Sequence, residues 1–360
     1  MNKKIGILTF HQAANTGALL QAYALHNTIS KYQTSEIIDY RSIAFKSNRK
    51  KGLIRFAKDT IKFILHPKVE SGRIKTNRNY KKFRNSFLNL SPIYFDTDID
   101  QINSRYDSIV CGSDQVWNTN ITKNDFHYYL DIVEPQKRKS YAASFGSDDL
   151  KNPMISQELS KFNLINVREK ERIPQLEKMG FKNCVCCCDP VFLLSKEEWL
   201  KITPLRKNQK KYILVYFILD PINSVSFINS ISSKYNLDVV FYNAFNSKTL
   251  PGKYKNINST GPLQFLSLLN NAELVITTSF HGLALSLIYN KPFYFEMNPK
   301  YEMMNGRIRN LIEHLNIGNR EITSKNFEDV NYSNIDWDSI NKRMNDYKNS
   351  SLEILKKDIE

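Results

Sequence analysis

The chain opens with the stretch IGILTFHQAANTGALLQAYAL, residues 5–25. Its first six residues form a short apolar run typical of a β-strand, and a polar loop follows at 11–16. A helix is predicted over 17–25, and the run at 36–40, EIIDY, is typical of a second strand. Strand, helix and strand in this order predict a Rossmann-like βαβ unit with parallel strands.

The same alternation continues along the chain. Further strands are predicted at 106–111, 139–146 and 163–169, and polar or glycine residues follow them. A second series has strands at 212–217, 238–242 and 274–277, and helices at 225–235 and 262–270. With 360 residues the chain is about twice the size of a usual domain. The sequence therefore predicts an α/β fold with two Rossmann-type domains.

The predicted boundaries follow from composition. The first domain covers 1–193, and a polar linker that contains Pro204 covers 194–211. The second domain covers 212–336. The tail at 337–360 is predicted to be a helix that returns to the first domain.

The net charge of +15 is concentrated in one segment. Between Lys46 and Arg84 there are fourteen Lys or Arg against Asp59 and Glu70. Apolar residues recur there at helical spacing, so 46–90 is predicted to be a basic helical insertion. Its first helix ends at Pro67 and its second covers 75–87.

The basic insertion suits a membrane contact or a solvated surface better than nucleic acid. Its apolar stripe between cations suits a peripheral contact with an anionic membrane, and the plainer alternative is a solvated helix face. No groove-reading motif accompanies it, so nucleic acid is not predicted. No apolar run reaches the 18–20 or so residues that span a bilayer, and the N-terminus lacks the pattern of a secretory signal. The sequence therefore predicts a cytoplasmic protein, or one at the inner face of the cell membrane.

The spacing of the cysteines does not predict a metal site. Four of the five cysteines lie within 184–188. Consecutive residues of a strand point to opposite faces, so this run cannot close around one ion by itself. Buried apolar packing is predicted for it, and neither a metal nor a cofactor is expected.

The strongest chemical candidate is TTSFHG at 277–282, since no nucleotide-binding loop or hydrolase motif is present. An apolar strand stops there, and Thr278 or Ser279 is placed to cap the helix that follows. Free N–H groups at a helix N-terminus attract anions. His281 in the first turn is suited to proton transfer near neutral pH, and Gly282 permits a close approach. The alternative is a histidine that only packs.

Six segments, in this order, resemble the polysaccharide pyruvyl transferase family. They are the opening strand with NTGA at 15–18, GSDQVWN at 112–118, SYAASFG at 140–146, VRE at 167–169, DPV at 189–191 and TSFHG at 278–282. The shared order is far more specific than any single segment, and it covers about 5–295.

The resemblance implies a GT-B-like fold, with two Rossmann-type domains that face each other across a cleft. It implies transfer of the enolpyruvyl group of phosphoenolpyruvate to two hydroxyls of a saccharide or lipid-linked saccharide. The product is a cyclic pyruvate ketal of a bacterial surface polysaccharide, such as a capsule or exopolysaccharide. A glycosyltransferase that uses a sugar nucleotide and a non-catalytic binding protein are the alternatives on the same fold.

Roles are assigned to residues on this basis. His281 corresponds to the family's general acid, Arg168 to its arginine in the Val-Arg-Glu segment, and Asp114 or Glu169 is expected near the acceptor hydroxyls. The full predicted set has catalytic His281, Asp114 and Glu169; donor-binding Arg168, Ser279, Gly282, Thr278 and Arg307; and acceptor-binding Asn15, Gly17, Ser113, Gln115, Trp117 and Ser144.

Four of these residues, and Asp189, also have plainer interpretations. Asp114 is equally suited to capping a helix, and Trp117 either stacks on a sugar or packs. Asn15 and Gly17 are expected to shape a loop that faces the ligand. Asp189-Pro190 is interpreted as a turn at the domain junction.

Ser279 departs from the family's pattern. Many members carry an arginine at this position, where it holds the donor's anionic groups. The missing positive charge is expected from Arg168, Lys170, Arg307 or Arg309, or else the donor is another molecule.

Overall fold

The computed structural model describes residues 3–42, 67–96, 98, 100–146, 150–206, 210–242, 254–324 and 330–360. Two five-stranded parallel sheets organise this part of the chain, with strand orders β3-β2-β1-β4-β5 and β10-β9-β8-β11-β12. The first sheet contains β1 (Lys4–Leu8), β2 (Thr34–Tyr40), β3 (Leu90–Tyr94), β4 (Ser108–Cys111) and β5 (Arg138–Ser140). The second contains β8 (Tyr212–Tyr216), β9 (Asp238–Tyr242), β10 (Lys255–Ile257), β11 (Leu274–Thr277) and β12 (Phe293–Phe295).

A smaller parallel pair extends the first sheet. It consists of β6 (Ile165–Val167) and β7 (Cys184–Cys186). Single bridges from Ala143 to Asp114 and to Val167 connect it to the region after β4. Arg168 follows β6 and Asp189 follows β7, and both strands lie on the β5 side of β4, the strand that precedes Asp114.

Helices cover both faces of the sheets, which explains why the strands are apolar on both sides. Ile5, Ile7, Leu214 and Val215, for example, are fully buried. The helices are α1 (Thr16–Ile29), α2 (Pro67–Phe87), α3 (Gln101–Arg105), α4 (Thr119–Thr122), α5 (Pro153–Leu159), α6 (Ile173–Lys178), α7 (Lys196–Leu200), α8 (Ser224–Tyr235), α9 (Pro262–Asn271), α10 (Phe280–Ile288), α11 (Glu302–Leu315) and α12 (Trp337–Ile359).

The basic insertion differs from its prediction where the structure describes it. Pro67 begins α2 instead of ending a helix, because proline fits the first helical position, where no N–H partner is needed. The helix predicted before Pro67 lies outside the described residues. The strand β3 was not predicted; Leu90–Tyr94 alternates only weakly, and Pro92 lowers its strand propensity.

The helix α2 contacts both halves of the molecule. Thr76 Oγ1 donates to the carbonyl of Asn258 (3.1 Å), and Asn79 Nδ2 donates to the carbonyl of Thr260 (3.0 Å). Tyr80 Oη and Thr16 Oγ1 are 2.7 Å apart, and Thr16 Oγ1 also lies 2.9 Å from Tyr242 Oη. These bonds join α1 and α2 to the second sheet.

The stretch predicted as a linker contains α7. Ser195 and Glu198 form a capping box at its N-terminus, and Trp199 is fully buried. The last helix, α12, lies against the first half of the chain: the N–H of Cys188 donates to Ser351 Oγ (2.9 Å), and Lys139 pairs with Asp358 (3.0 Å). No helix in the described ranges combines the length and the apolar character that crossing a membrane requires.

Candidate active site

Four charged or ionisable side chains meet where strands end. Asp114 follows β4, Arg168 follows β6 and Asp189 follows β7, while His281 lies in the first turn of α10, after β11. The carboxyl ends of parallel strands are where open α/β sheets place ligand sites. His281 comes from the second sheet and the other three from the first, so the cluster lies between the two halves.

Asp189 is the centre of this cluster. Its Oδ2 lies 2.6 Å from Nη1 of Arg168 and 3.4 Å from Nε2 of His281, and all three side chains are buried. Its Oδ1 accepts a hydrogen bond from the N–H of Val191 (3.1 Å), which fixes the carboxylate's orientation. Burial opposes ionisation, but His281 and Arg168 outweigh it and hold the pKa of Asp189 well below its usual range.

Two guanidinium groups lie over one aromatic ring. The Cζ atoms of Arg168 and Arg307 are 5.4 and 5.7 Å from the ring centroid of Phe280. Arg168 also approaches Asp114, with Nη2 3.4 Å from Oδ1. Arg307 is only 8% exposed, yet no carboxylate of the described residues lies within ion-pair distance of it. Burial and the neighbouring Arg168 lower its pKa to about 10.

The N-terminus of α10 adds to this positive potential. Ser279 Oγ accepts from the N–H of Gly282 (3.3 Å), and Ser279 O accepts from Leu283. The N–H groups of Phe280 and His281 have no acceptor among the described residues. Unpaired amides and the helix dipole favour an anion at this point.

The neighbouring helix α8 does not offer such a site. Its N-terminus is filled by the buried carboxylate of Glu296, which accepts from the N–H groups of Ile222 (3.1 Å), Asn223 (2.6 Å) and Ser224 (3.0 Å). A second anion there would meet a carboxylate that is already bound. An external anion is therefore favoured at α10.

A third buried carboxylate, that of Glu169, completes the cluster. Glu169 accepts a hydrogen bond from Ser144 Oγ through Oε1, while its Oε2 is buried without a partner among the described residues. The N–H of Gly146 in turn donates to Ser144 Oγ (3.1 Å). An oxygen in this state is available to accept a proton or a hydrogen bond from a ligand hydroxyl. No group of three or more His, Cys, Asp or Glu in the described ranges is arranged to hold a metal ion.

Comparison with known proteins assigns the chain to a family. The family model described as polysaccharide pyruvyl transferase matches residues 15–297. The chain belongs to the polysaccharide pyruvyl transferase family. No curated protein sequence matches it.

Solved structures support the fold of this pyruvyl transferase family member. The UDP-GlcNAc 2-epimerase from Neisseria meningitidis, bound to UDP-GlcNAc, aligns with a TM-score of 0.51 at 10% identity and covers 99% of each chain. The UDP-N-acetylglucosamine 2-epimerase from Rickettsia bellii aligns with a TM-score of 0.50 at 10% identity over 99% of this chain and 95% of that chain. At such low identity the likeness concerns the fold alone, and the predicted GT-B-like α/β fold with two Rossmann-type domains is confirmed.

Three predicted donor residues of the family motif have other contacts in the structure. Ser279 caps α10, as described above. Thr278 is buried, and its Oγ1 accepts from the N–H groups of Ile218 (3.0 Å) and Leu219 (3.1 Å), so it holds a loop. Gly282 packs against Thr277, and a Cβ there would overlap that hydroxyl. The close approach expected at Gly282 is made by Thr277, so the small size of this residue serves the packing of α10 on β11, and its place in the donor site stays a prediction.

Two of the predicted acceptor residues are also corrected. Trp117 is fully buried, stacks on Tyr129 with 5.5 Å between ring centroids, and donates through Nε1 to the carbonyl of Tyr128 (3.1 Å). Ser113 is fully buried and donates to the carbonyl of Ala142 (2.9 Å). Neither has a face for a sugar, because the fold already uses the polar atoms and the aromatic surface of both.

The other predicted acceptor residues differ in their exposure and in their hydrogen bonds. Asn15 is exposed and caps α1 by accepting from the N–H of Ala18 (3.2 Å). Gln115 is partly buried and accepts from Asn118 Nδ2 (2.9 Å). Ser144 is fully buried and positions Glu169. Asp114 caps no helix, since α4 begins only at Thr119.

Gly17 has a role that the sequence did not reveal. A Cβ at this position would overlap the imidazole of His281, chiefly at Nδ1. The first turn of α1 therefore packs directly on His281 across the junction of the two halves. Glycine is required there because any side chain would displace the ring.

Asp189 is the residue of the candidate site whose central position the sequence did not predict. Its Asp-Pro-Val segment was recognised as part of the family pattern, but a local interpretation gives only a turn. That turn is present, since Asp189 caps a short 3₁₀ helix at Pro190–Leu193. The second position of the carboxylate, in contact with Arg168 and His281, is seen only in the tertiary structure, because these two residues are distant from it in sequence.

Proposed function

We propose that this protein transfers the enolpyruvyl group of phosphoenolpyruvate to two hydroxyls of a saccharide, with formation of a cyclic ketal and release of phosphate. Membership of the family supports a transferase of polysaccharide biosynthesis. The observation that carries the proposal is the buried Arg307, which lies beside Arg168 and near His281 without an ion-pair partner among the described residues. A buried cation without a partner is expensive unless a ligand supplies the anion.

The donor's charges fit this site. Phosphoenolpyruvate carries a phosphate and a carboxylate, and guanidinium groups and helix N-termini are the protein groups that bind such anions best. Arg168, Arg307 and the free amides of α10 supply both kinds of donor. The two arginines would thus provide the positive charge that Ser279 lacks, whereas Arg309 is paired with Glu302 and Lys170 is exposed.

The reaction needs one proton donor and one proton acceptor. A proton from His281 adds to C3 of the enolpyruvyl group, and C2 becomes an oxocarbenium-like electrophile. The first sugar hydroxyl forms a C–O bond to C2 and loses its proton to Glu169 or Asp114. The second hydroxyl then forms the other C–O bond as the C2–O bond to phosphate breaks, and its proton leaves with the phosphate. The proton taken from the first hydroxyl replaces the one that His281 gave to C3, so phosphoenolpyruvate and two hydroxyls give a ketal with a new methyl group and inorganic phosphate.

Asp189 acts on this reaction as a positioning residue. Its carboxylate faces Nε2 of His281 and thereby favours the ring orientation in which that nitrogen carries a proton. Arg168 shares the same oxygen, so the donor site and the proton donor are held by one carboxylate.

A thermal shift series tests the donor. Phosphoenolpyruvate should raise the Tm increasingly with its concentration, following the logarithm of one plus the ratio of concentration to Kd, while UDP-GlcNAc should leave the Tm unchanged. Stabilisation by the sugar nucleotide alone would instead favour a glycosyltransferase, and no response to either would favour a binding protein without this activity.

A matched pair of variants tests whether phosphoenolpyruvate stabilises the protein by binding at Arg307. Arg307→Gln should abolish stabilisation by phosphoenolpyruvate, because the buried anion site loses its unpaired cation. Arg309→Gln, on the same helix, removes an arginine that is already paired with Glu302 and should retain the stabilisation. Equal responses of the two variants would show that the donor binds elsewhere.

A further inference from the structure

A chain of three buried hydroxyl groups crosses from the first half of the molecule to the second. It consists of Tyr80 on α2, Thr16 at the start of α1 and Tyr242 at the end of β9, each at most 3% exposed. Tyr80 Oη lies 2.7 Å from Thr16 Oγ1, which lies 2.9 Å from Tyr242 Oη. The chain ends at Gly261, just before α9, where Tyr242 Oη lies 3.1 Å from the carbonyl oxygen and 2.9 Å from the amide nitrogen.

The hydrogen bonds of this chain run in one direction. A carbonyl only accepts, so Tyr242 donates its one hydroxyl hydrogen to Gly261. The oxygen of Tyr242 then accepts from Thr16, and the oxygen of Thr16 accepts from Tyr80. Each hydroxyl thus donates once, and removal of any one of them leaves a buried neighbour without its partner.

Thr16 connects this chain to the candidate proton donor. It directly precedes Gly17, which packs against the imidazole of His281: a Cβ at Gly17 would lie 2.1 Å from Nδ1. The other ring nitrogen, Nε2, lies 3.4 Å from Asp189. The backbone of Gly17 and the carboxylate of Asp189 therefore hold the two nitrogens of one imidazole, and Thr16 fixes the position of the first.

The far end of the chain reaches the helix that carries His281. The ring of Tyr242 packs edge-on against Tyr216, with 5.3 Å between the ring centroids. Tyr216 in turn packs against the start of α10, since a Cβ at Gly282 would lie 3.1 Å from Tyr216 Cδ1. Both ends of the hydroxyl chain are thus connected to α10, one through Gly17 and the other through Tyr216.

We propose that Thr16 and Tyr80 are positioning residues, which set the orientation of the His281 imidazole through the backbone of Gly17. The inference rests on the proposed function for the chemistry that His281 performs, but the orientation of the ring rests on the contacts alone. A general acid must direct its proton at the reacting carbon, and a misplacement of about 1 Å can cost about 10²-fold in rate. Because both hydroxyls act through His281, their loss should lower kcat and leave the KM for phosphoenolpyruvate unchanged.

Four variants test this role. Tyr80→Phe removes one hydroxyl of the chain and retains the ring, and Thr16→Val removes the next hydroxyl, whereas Thr16→Ser keeps it. Tyr212→Phe is the matched control, because its buried hydroxyl donates to the carbonyl of Leu268 (2.6 Å) at the opposite end of β8 from Tyr216. Tyr80→Phe, Thr16→Val and Tyr212→Phe each lose a buried hydrogen bond, so all three should lower the Tm.

The imidazole C–H signals in a ¹H–¹³C NMR spectrum report the surroundings of each histidine ring. The chain has six histidines, and the signal that is absent from the spectrum of His281→Gln belongs to His281. Tyr80→Phe and Thr16→Val should shift this signal, whereas Thr16→Ser and Tyr212→Phe should leave it in place. An unmoved His281 signal in Tyr80→Phe and Thr16→Val would overturn the proposal, as would an equal shift in Tyr212→Phe.

Steady-state kinetics give the functional measurement. The kcat should fall roughly ten- to hundredfold in Tyr80→Phe and Thr16→Val, with an unchanged KM and with recovery in Thr16→Ser. An equal fall in Tyr212→Phe would assign the effect to stability and contradict the positioning role.

The two proposals fail separately. A shifted His281 signal in Tyr80→Phe, together with no transfer from phosphoenolpyruvate by the unmodified protein, would refute the reaction and retain the positioning role. Normal transfer by Tyr80→Phe with an unmoved signal would refute the positioning role and retain the reaction.

Discussion

Nε2 of His281 lies 3.4 Å from Oδ2 of Asp189, and this contact joins the second half of the chain to the first. The same oxygen is 2.6 Å from Nη1 of Arg168. One buried carboxylate therefore aligns the candidate proton donor with a candidate anion-binding group. Four predictions follow from this cluster and its surroundings.

Asp189→Asn should reduce the free energy of unfolding by about 3 kcal/mol at neutral pH, because Arg168 loses its closest anion inside the protein. The pKa of Asp189 is lowered in the folded state, so its stabilisation is complete above its unfolded pKa of about 3.9 and is lost as the pH falls below that value. Urea unfolding of both proteins at neutral and acidic pH measures the difference. A difference that does not shrink in acid would contradict the role of the carboxylate charge.

Gly17→Ala should displace the imidazole of His281 and lower both the Tm and the transferase activity. A double-mutant cycle isolates this clash: in the His281→Ala background the same substitution should be neutral or slightly stabilising, since alanine favours a helix. Thermal unfolding of the four proteins is sufficient. Additive effects would show that Gly17 and His281 do not interact.

His281→Gln should leave the fold intact and reduce transfer by roughly 10²–10⁴-fold, the usual contribution of a general acid. Glutamine still offers a polar group towards Asp189 but donates no proton to carbon. His26→Gln, at a histidine on α1 that bonds to the carbonyl of Ser35, is the control and should keep its activity. Phosphate release from phosphoenolpyruvate with a saccharide acceptor measures both; retained activity in His281→Gln would assign the proton to another group.

Trp117→Phe should lower the stability by about 1–3 kcal/mol and leave the KM for the acceptor unchanged. The indole packs between aromatic rings and donates to the carbonyl of Tyr128, so its loss is a loss of packing and of one buried hydrogen bond. Urea unfolding and acceptor titrations separate the two effects. A raised KM without loss of stability would restore the stacking role that the sequence suggested.

The strands and helices of the central sheets were largely predictable from the sequence. The strands at 238–242 and 274–277 were placed as the structure has them, and β1 and β8 within two residues, because both faces of a parallel sheet are buried and leave continuous apolar runs. The strands β3 and β10 lack such runs, and β12 is apolar but only three residues long, so all three were missed. The predicted start of α2 was wrong, because proline is favoured at the first position of a helix but ends or kinks a helix at interior positions.

By itself, the sequence determined the fold class, the family and the positions where ligand-facing residues follow strands, since apolar runs and ordered motifs are local properties of the chain. Only the tertiary structure decided which of those residues meet. His281 and Gly17 are far apart in sequence and in direct contact in space, and Asp189 both caps a turn and links Arg168 to His281. Trp117 was predicted in the acceptor site but is buried in the core. The reason is the same: which face of a strand end or loop is buried depends on the other elements packed against it.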